Sequence, residues 1–289
     1  MPTIDIALPF YGDVGYLKLA VNSILAQSDQ NWRLIVSDDG YPDPDVETWF
    51  RSLADSRIHY SRNAINLGAN GNFQKCLELV TADYFVVMGA DDVMHPKYVE
   101  VMRSEVINNP GSKFFQPEVR IIDSNGKVIA PLADRIKSKL RPKAGTHSGE
   151  DACATLMKGN WLYFPAVLWS TNEVKSIGFR KGLNVAQDLA LAVDILMRDH
   201  EFTVVDKTLL DYRRHPGGDS AVRALSGDRF IEERKFFTGL AKEFKSLNWK
   251  SAEKSARFHI TSRLNAASLL PVSLIKRKGT KELIKHVII

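Results

Sequence analysis

Tyr84–Pro96 reads YFVVMGADDVMHP. Tyr84 to Met88 is a short run of β-branched and aromatic residues with the length of a buried strand, and it stops at Gly89. Asp91 and Asp92 follow at once. Buried parallel strands deliver functional groups at their carboxyl ends, beside a ligand crevice. Adjacent acids there suit a hard divalent cation whose shell is completed by a substrate's phosphates. A solvated turn before a helix starting near Pro96 explains the same residues, since Asp is a cap and Pro suits a first turn. The stretch alone leaves both readings open.

Working outward, the same strand-to-acid pattern recurs. Ile4–Phe10 is a short apolar strand, followed by Leu17, Val21, Ile24 and Leu25 at helical spacing. Trp32–Ser37 is a second strand that runs into Asp38-Asp39-Gly40, with a helix predicted from Asp45 to Leu53 and Asp45 as its N-cap. Ile58–Tyr60 reads as a short third strand, residues 63–72 as a polar glycine-punctuated loop, and Phe73, Leu77 and Val80 as one face of a helix. Strands alternating with helices predict an α/β fold with a mostly parallel, doubly wound sheet. After a helix to about Ile107, Phe114–Asp123 and Lys127–Ala130 flank Asn125-Gly126, a hairpin signal that adds antiparallel strands. Pro131–Ser148 lacks periodicity and reads as a mobile loop beside the site. Gln187–Met197 reads as a buried helix, Phe202–Val205 and Leu209–Tyr212 as two late strands, and the chain beyond Asp228 as amphipathic helix broken at Pro271.

Composition narrows the class. With 289 residues, 44% hydrophobic and 25% charged, the chain has enough apolar material for a large core and is not a disordered one. Cys76 and Cys153 stand far apart, which supports neither a disulfide framework nor structural zinc and fits a reducing cytoplasm. No stretch reads as a signal peptide or a membrane span. The net charge of +5 is a C-terminal property: Lys242–Ile289 holds 11 Lys or Arg against 3 Asp or Glu. An acidic partner for that tail is either an anionic membrane surface or nucleic acid.

Acidic and basic residues thus punctuate the ends of successive elements: Asp38-Asp39, Asp91-Asp92, Asp188 and Arg213-Arg214-His215. In this order, with the flanks LPFYGDVGYLKLAVNSILAQS, LIVSDDG, NLGANGNF, VVMGADDVMHP, QDLAL and YRRHPGGDS, the chain resembles the family two glycosyltransferases of the GT-A fold over roughly residues 3 to 222. The resemblance implies a catalytic domain over 1–225, with a nucleotide-binding half (1–110) and an acceptor-binding half (111–225), followed by a basic helical region over 226–289. It implies transfer of a sugar from a nucleotide donor, a UDP-sugar by default, with inversion. Magnesium or manganese is the expected cofactor, and a glycan or lipid-linked molecule the acceptor. A role in bacterial cell-surface polysaccharide or glycolipid synthesis at the inner face of the membrane follows.

By the resemblance, Pro9, Phe10 and Asp39 serve the base. Asn66, Gly68 and Asn72 lie beside the nucleotide, and Asp91 reaches ribose or metal. Asp92 binds the metal with His215 as helper, Arg213 and Arg214 face the diphosphate, and Asp188 is the catalytic base. Glu150, Asn160, Trp161 and Gln187 are expected on the acceptor side. Ordinary structure would explain each residue taken singly: an Asx turn with Gly40 for Asp38 and Asp39, a plain strand-to-helix connection for Asn66, Gly68 and Asn72, an N-cap for Asp188, core for Trp161. Two positions depart from the family pattern, Gly89 where a third acid is frequent and Gln187 where Glu is usual. A sugar-phosphate nucleotidyltransferase would need a basic Gly-rich loop after the first strand, which PFYGDVG lacks; a binding protein that has lost catalysis is the other alternative. For Leu264–Ile289 two readings remain, a helix lying on an anionic membrane and a helix packed on the catalytic domain or on a second subunit. Nucleic acid is the weaker partner.

Overall fold

A computed structural model describes residues 2–215 and 227–288. Strand β1 (Ile4–Phe10) leads into α1 (Val14–Leu25), β2 (Trp32–Asp38), α2 (Asp45–Ser52), β3 (Ile58–Arg62), α3 (Gly68–Leu79) and β4 (Tyr84–Val87). Strands β1 to β4 are mutually parallel in the order β3-β2-β1-β4, so the winding direction reverses between β1 and β4. Such a reversal opens a crevice at the carboxyl ends of the strands. Side chains alternate along each strand as the period of two requires. Ile6, Leu34 and Val86 join one core with α1 and α2, whereas Ala7, Ile35, Phe85 and Val87 join the core on the other face with α3.

The second half adds β5 (Val93–Met94), α4 (Tyr98–Asn108), β6 (Ser112–Ile122), α5 (Leu132–Leu140), β7 (Gly145–Ser148), α6 (Gly149–Lys158), a 3₁₀ turn (Phe164–Ala166), β8 (Leu168–Ser170), α7 (Thr171–Ile177), α8 (Gln187–Leu196) and β9 (Glu201–Arg213). Strand β8 is antiparallel to both β4 and β6, and β9 is parallel to β6. The carboxyl end of β9 therefore lies at the same sheet edge as that of β4. Direct pairing of Val93 with Asp211 locks the two ends together.

Several local expectations change. Residues 68–72 form the first turn of α3 rather than loop, and Pro44, not Asp45, is the N-cap of α2. The two late strands are one strand, β9, whose pairing with β6 continues across register shifts near Pro117 and Glu118. The turn at Asn125-Gly126 forms as expected, with the Gly126 N–H donating to the Asp123 carbonyl at 3.0 Å, but its second arm makes only an isolated bridge. Pro131–Ser148 holds α5 and β7. Its order comes from partners distant in sequence: β7 pairs with β9, Arg141 reaches Glu118 and the Val205 carbonyl, and Asp134 is buried. None of these partners leaves a local periodicity.

The C-terminal helices are α9 (Asp228–Ser246), α10 (Lys250–Phe258), α11 (Ile260–Lys276) and α12 (Thr280–Ile288). Phe236, Phe237, Leu240, Phe244, Ala252 and Ala256 are part of the same core as α6 and α8, so α9 and α10 complete the main body. A separate small cluster, Phe230, Ala266 and Leu283, holds α11 and α12 to α9. The boundary expected at residue 225 lies outside the described residues. Helix α11 runs through Pro271 without a break, and Pro271 is exposed. The helical breaks fall instead at Asn248, His259 and Arg277, which have positive φ. Among the described residues no helix is long and apolar enough to cross a membrane.

Candidate active site

The segments that follow β1, β2, β3, β4 and β9 lie at the carboxyl edge of the sheet. At the end of β1, Phe10 is buried and its carbonyl accepts from the Asp39 N–H at 2.8 Å. Its ring packs 4.9 Å from Tyr41, which also meets the exposed Tyr11 at 5.7 Å. Asp39 accepts two hydrogen bonds on Oδ1, from the Leu67 N–H at 2.8 Å and the Asn63 amide at 2.9 Å. Both fix the carboxylate and leave Oδ2 outside these bonds. Asp38 serves the turn, accepting from the Tyr41 N–H and the Tyr60 hydroxyl.

The loop before α3 is built rather than loose. Asn66 accepts from the Gly68 N–H at 2.9 Å, and Gly68 has φ +73°, a conformation that glycine adopts without steric cost. Asn72 is buried, takes the Ser37 hydroxyl on Oδ1 at 2.6 Å and donates to the Ser37 carbonyl at 2.8 Å. Its amide therefore ties α3 to β2, beneath Asp39.

After β4, Asp92 is fully enclosed. Its Oδ1 accepts from the Arg213 N–H at 2.8 Å, and its Oδ2 is buried with no hydrogen-bond partner. Burial pushes this carboxyl well above the usual carboxylate range, and the Asp91 charge adds to the rise against the opposing Arg213 and Arg214. Asp91 is partly exposed and receives His215 Nε2 on Oδ2 at 2.8 Å. Gly89 explains the missing third acid: a Cβ there would lie 2.6 Å from Asp92 Oδ2 and 2.8 Å from Asp91 Oδ1. The two carboxylate oxygens thus border one small space that only glycine leaves open.

The two arginines separate cleanly. Arg213 donates to the carbonyls of Asp91, Asp123 and Ser124 and lies 4.5 Å over the Tyr16 ring, so its fork holds two loops and the start of α1 together. Arg214 reaches Asp134 at 2.6 Å and stands 5.0 Å over Tyr212, with Nε unpartnered. Pro216–Ser220, the glycine-rich continuation of the motif, lies outside the described residues.

Asp188 occupies the first turn of α8, where the helix dipole favours a carboxylate. Its Oδ1 is buried and unpartnered. Burial raises its pKa, opposed by the Leu189 N–H, the Lys137 charge and the Asn160 amide. Lys137, on α5, donates to the Leu162 carbonyl at 3.0 Å and lies 4.4 Å over Tyr163. Burial first, then Arg214, depresses its ammonium to about 8, with Asp188 and Asp134 partly opposing. Tyr163 donates to Asp134 at 2.8 Å, and burial pushes the Tyr212 phenol up to about 12. Arg214 and Tyr163 thus meet on Asp134, with Lys137 stacked on Tyr163, and the charges of this group act on Asp92 on one side and on Asp188 on the other. Asp134 and Lys137 lie on α5 beside the apolar positions Leu132, Ile136 and Leu140, but nothing in that short, charged segment marks them for a site, and Tyr163 stands in an apolar run; Tyr11 and Tyr41 could have been found from their places just beyond strands β1 and β2.

The remaining acceptor-side candidates divide. Asn160 lies against Asp188, and Gln187, the residue before Asp188, donates to Asn70 on α3 at 3.0 Å. Glu150 instead binds the Ser251 N–H at the start of α10, and Trp161 is buried 5.6 Å from Phe202. Those positions are structural: a carboxylate that stops one helix end and an indole in the core.

The sequence profile of Glycosyl transferase family 2 matches residues 5–171. The chain belongs to that family. This family 2 chain is 21% identical over 215 residues to an uncharacterized glycosyltransferase of Methanocaldococcus jannaschii, covering 73% of the chain and 71% of the relative. It is 29% identical over 133 residues to an Escherichia coli UDP-Glc:alpha-D-GlcNAc-diphosphoundecaprenol beta-1,3-glucosyltransferase, WfgD, covering 44% of the chain and 51% of that protein. Among solved structures, TarS 1-349 of S. aureus matches 99% of the chain with 81% of its own length at TM-score 0.68 and 14% identity. A second TarS structure, in complex with UDP-GlcNAc, matches at TM-score 0.63 and 14% identity over 82% of the chain and 66% of its own. The structural likeness confirms the GT-A fold with C-terminal helices.

Proposed function

We propose that this family 2 glycosyltransferase moves a sugar from a UDP-sugar to an acceptor hydroxyl with inversion, in bacterial cell-surface polysaccharide or glycolipid synthesis on the cytoplasmic side of the membrane. The observation that carries the reading is Asp188, a carboxylate with one buried unpartnered oxygen, set among the charges of Lys137, Asp134 and Arg214, the last of which also acts on Asp92. In this reading Phe10, Tyr11, Tyr41 and Asp39 hold the base, with Pro9 continuing the wall, and Asn66, Gly68 and Asn72 fix the loop beside it. Asp188 takes the proton from the acceptor hydroxyl as that oxygen attacks the anomeric carbon from the face opposite the leaving diphosphate. Arg214, whose Nε is unpartnered, faces the diphosphate and opposes its growing charge. Asn160 and Gln187 orient the acceptor.

The chain's oxygens fit a magnesium or manganese ion: a buried orphan oxygen on Asp92, Asp91 Oδ1 beside it, and the space that a Cβ at Gly89 would fill. Among the described residues no group of three or more His, Cys, Asp or Glu side chains is arranged as a metal site. That suits an ion held by one or two carboxylates and completed by phosphate oxygens and water. When bound, it would neutralise charge on the departing diphosphate. Gly89→Ala is expected to push Asp92 off its position and lower turnover on the order of 10²-fold, as small misplacements of catalytic groups do. Steady-state rates against manganese concentration, beside a thermal melt, check this; parent-like turnover would remove the role given to Gly89.

The donor is tested by thermal shift with a panel of UDP-, dTDP- and GDP-sugars in manganese. A UDP-sugar at a hundredfold excess over its Kd is expected to raise Tm by about 5–10 °C. A larger shift with another base would overturn the uridine reading. Transfer is then read with the preferred donor and polyprenyl-diphosphate or glycan acceptors.

A further inference from the structure

We propose that the outer face of α11, with the basic segment that follows it, docks on an anionic lipid bilayer surface. Helix α11 carries apolar residues on opposite sides. Ala266 is buried in the small core, and Leu269 and Leu270 pack against it. The opposite stripe, Ile260, Leu264, Pro271, Leu274 and Ile275, follows helical spacing and stands in solvent, Leu264 at 61% and Ile275 at 83% exposure. A surface helix ordinarily has one apolar stripe, which it buries; this helix has a second, left in solvent, which reads as an interaction surface.

The charges select the occupant. Lys276, Arg277, Lys278, Lys281 and Lys285 are all exposed at the end of the stripe and along α12. From Lys254 to Ile289 there are eight Lys or Arg and one acid, Glu282, which is held by Arg234 at 2.8 Å and also meets Lys285 at 3.5 Å. Apolar side chains flanked by lysines match the acyl boundary and the headgroups of an anionic leaflet. A second copy of this chain would bring the same basic rim against itself, and nucleic acid has no use for the apolar stripe.

The two earlier readings of this segment, packed helix and membrane helix, are therefore compatible: one face packs and the other docks. The packing also fixes the docking face relative to the proposed base. Thr261 donates to the Lys158 carbonyl at 2.9 Å, at the end of α6, and Asn160, two residues on, lies against Asp188. The surface does not depend on the transfer reaction. Asp188→Asn protein is expected to bind vesicles as the parent does.

Co-sedimentation of the full chain tests it, with vesicles of phosphatidylcholine alone and of phosphatidylcholine mixed with phosphatidylglycerol. Partition onto the anionic vesicles is expected to be at least about tenfold higher and to fall as salt rises. Leu264→Glu with Ile275→Glu, and separately Lys276→Glu with Lys278→Glu, should each abolish it. These side chains are exposed, and unchanged melting curves will confirm intact folding. Equal pelleting on both vesicle types, or parent-like binding by either double variant, would overturn the proposal. So would a dimer in solution that the Leu264 and Ile275 substitutions dissociate.

Discussion

Asp188→Asn is expected to lower sugar transfer by about 10²–10⁴-fold, the usual worth of a positioned general base, while nucleotide affinity stays near the parent value. The amide keeps the shape of the carboxylate but cannot take the acceptor's proton. Misfolding can be excluded in the same experiment. Burial raises the pKa of Asp188 in the folded chain, so the stability it contributes is present in full below the unfolded carboxylate pKa and is lost as pH rises through the folded value. At neutral pH the ionised group therefore opposes folding, and the amide variant is expected to melt no lower than the parent. The same shift predicts that the acid limb of the parent's rate profile lies above the pH of an ordinary aspartate, because only the ionised form acts as base. Single-turnover transfer and nucleotide titration separate the two effects. Equal loss of transfer and binding would remove the base assignment.

Asp92→Asn is expected to be inactive and more stable. Asp92 is enclosed beside a second carboxylate, with Oδ2 unpartnered, and burial and the Asp91 charge both raise its pKa. By the sign just worked out, its ionised form opposes folding above the unfolded pKa. Asparagine removes the charge and retains an oxygen for the Arg213 N–H. Stabilisation on the order of 1 kcal/mol, or roughly 2–4 °C in Tm, is expected in chelator at neutral pH. The gap should shrink toward low pH, where the parent carboxyl is protonated. Activity should behave as if the metal had been removed: Asp92→Ala in manganese and the parent in excess chelator should both fail to turn over. Full turnover by the parent in chelator would reject the metal reading, whereas a large fall in Tm on substitution would mean that Asp92 is structural. The expected rise in Tm would mean that function is purchased with stability at this position, as is common for sites that must hold charge out of water.

The strands carrying the proposed site were legible because burial imposes a period. Ile4–Phe10, Trp32–Ser37 and Tyr84–Met88 announce themselves as apolar runs, and the acids that follow Trp32–Ser37 and Tyr84–Met88 sit where parallel strands end. Asp188 was legible for a similar reason, at the start of an apolar helix. Residues 131–148 were not, because α5 owes its order to Arg214, Tyr163 and the core beneath it rather than to its own sequence. The C-terminal helices show the same limit: Pro271 signals a break in any isolated helix, yet the chain turns at Asn248, His259 and Arg277.

The sequence by itself determined the alternation of strand and helix, the family, and the acids at the strand ends, since each is written in residues close together along the chain. Only the tertiary structure decided which groups face one another. It separated Arg213, bound to three carbonyls, from Arg214, and it brought Asp134 to Arg214 and the Lys137 charge within reach of Asp188. It also made Gly89 a space for two carboxylate oxygens rather than a missing ligand. Gly89 lies only two and three residues from Asp91 and Asp92, but the space depends on how their side chains fold back; the other contacts join residues tens to more than a hundred positions apart, and no local pattern of propensity or charge encodes them.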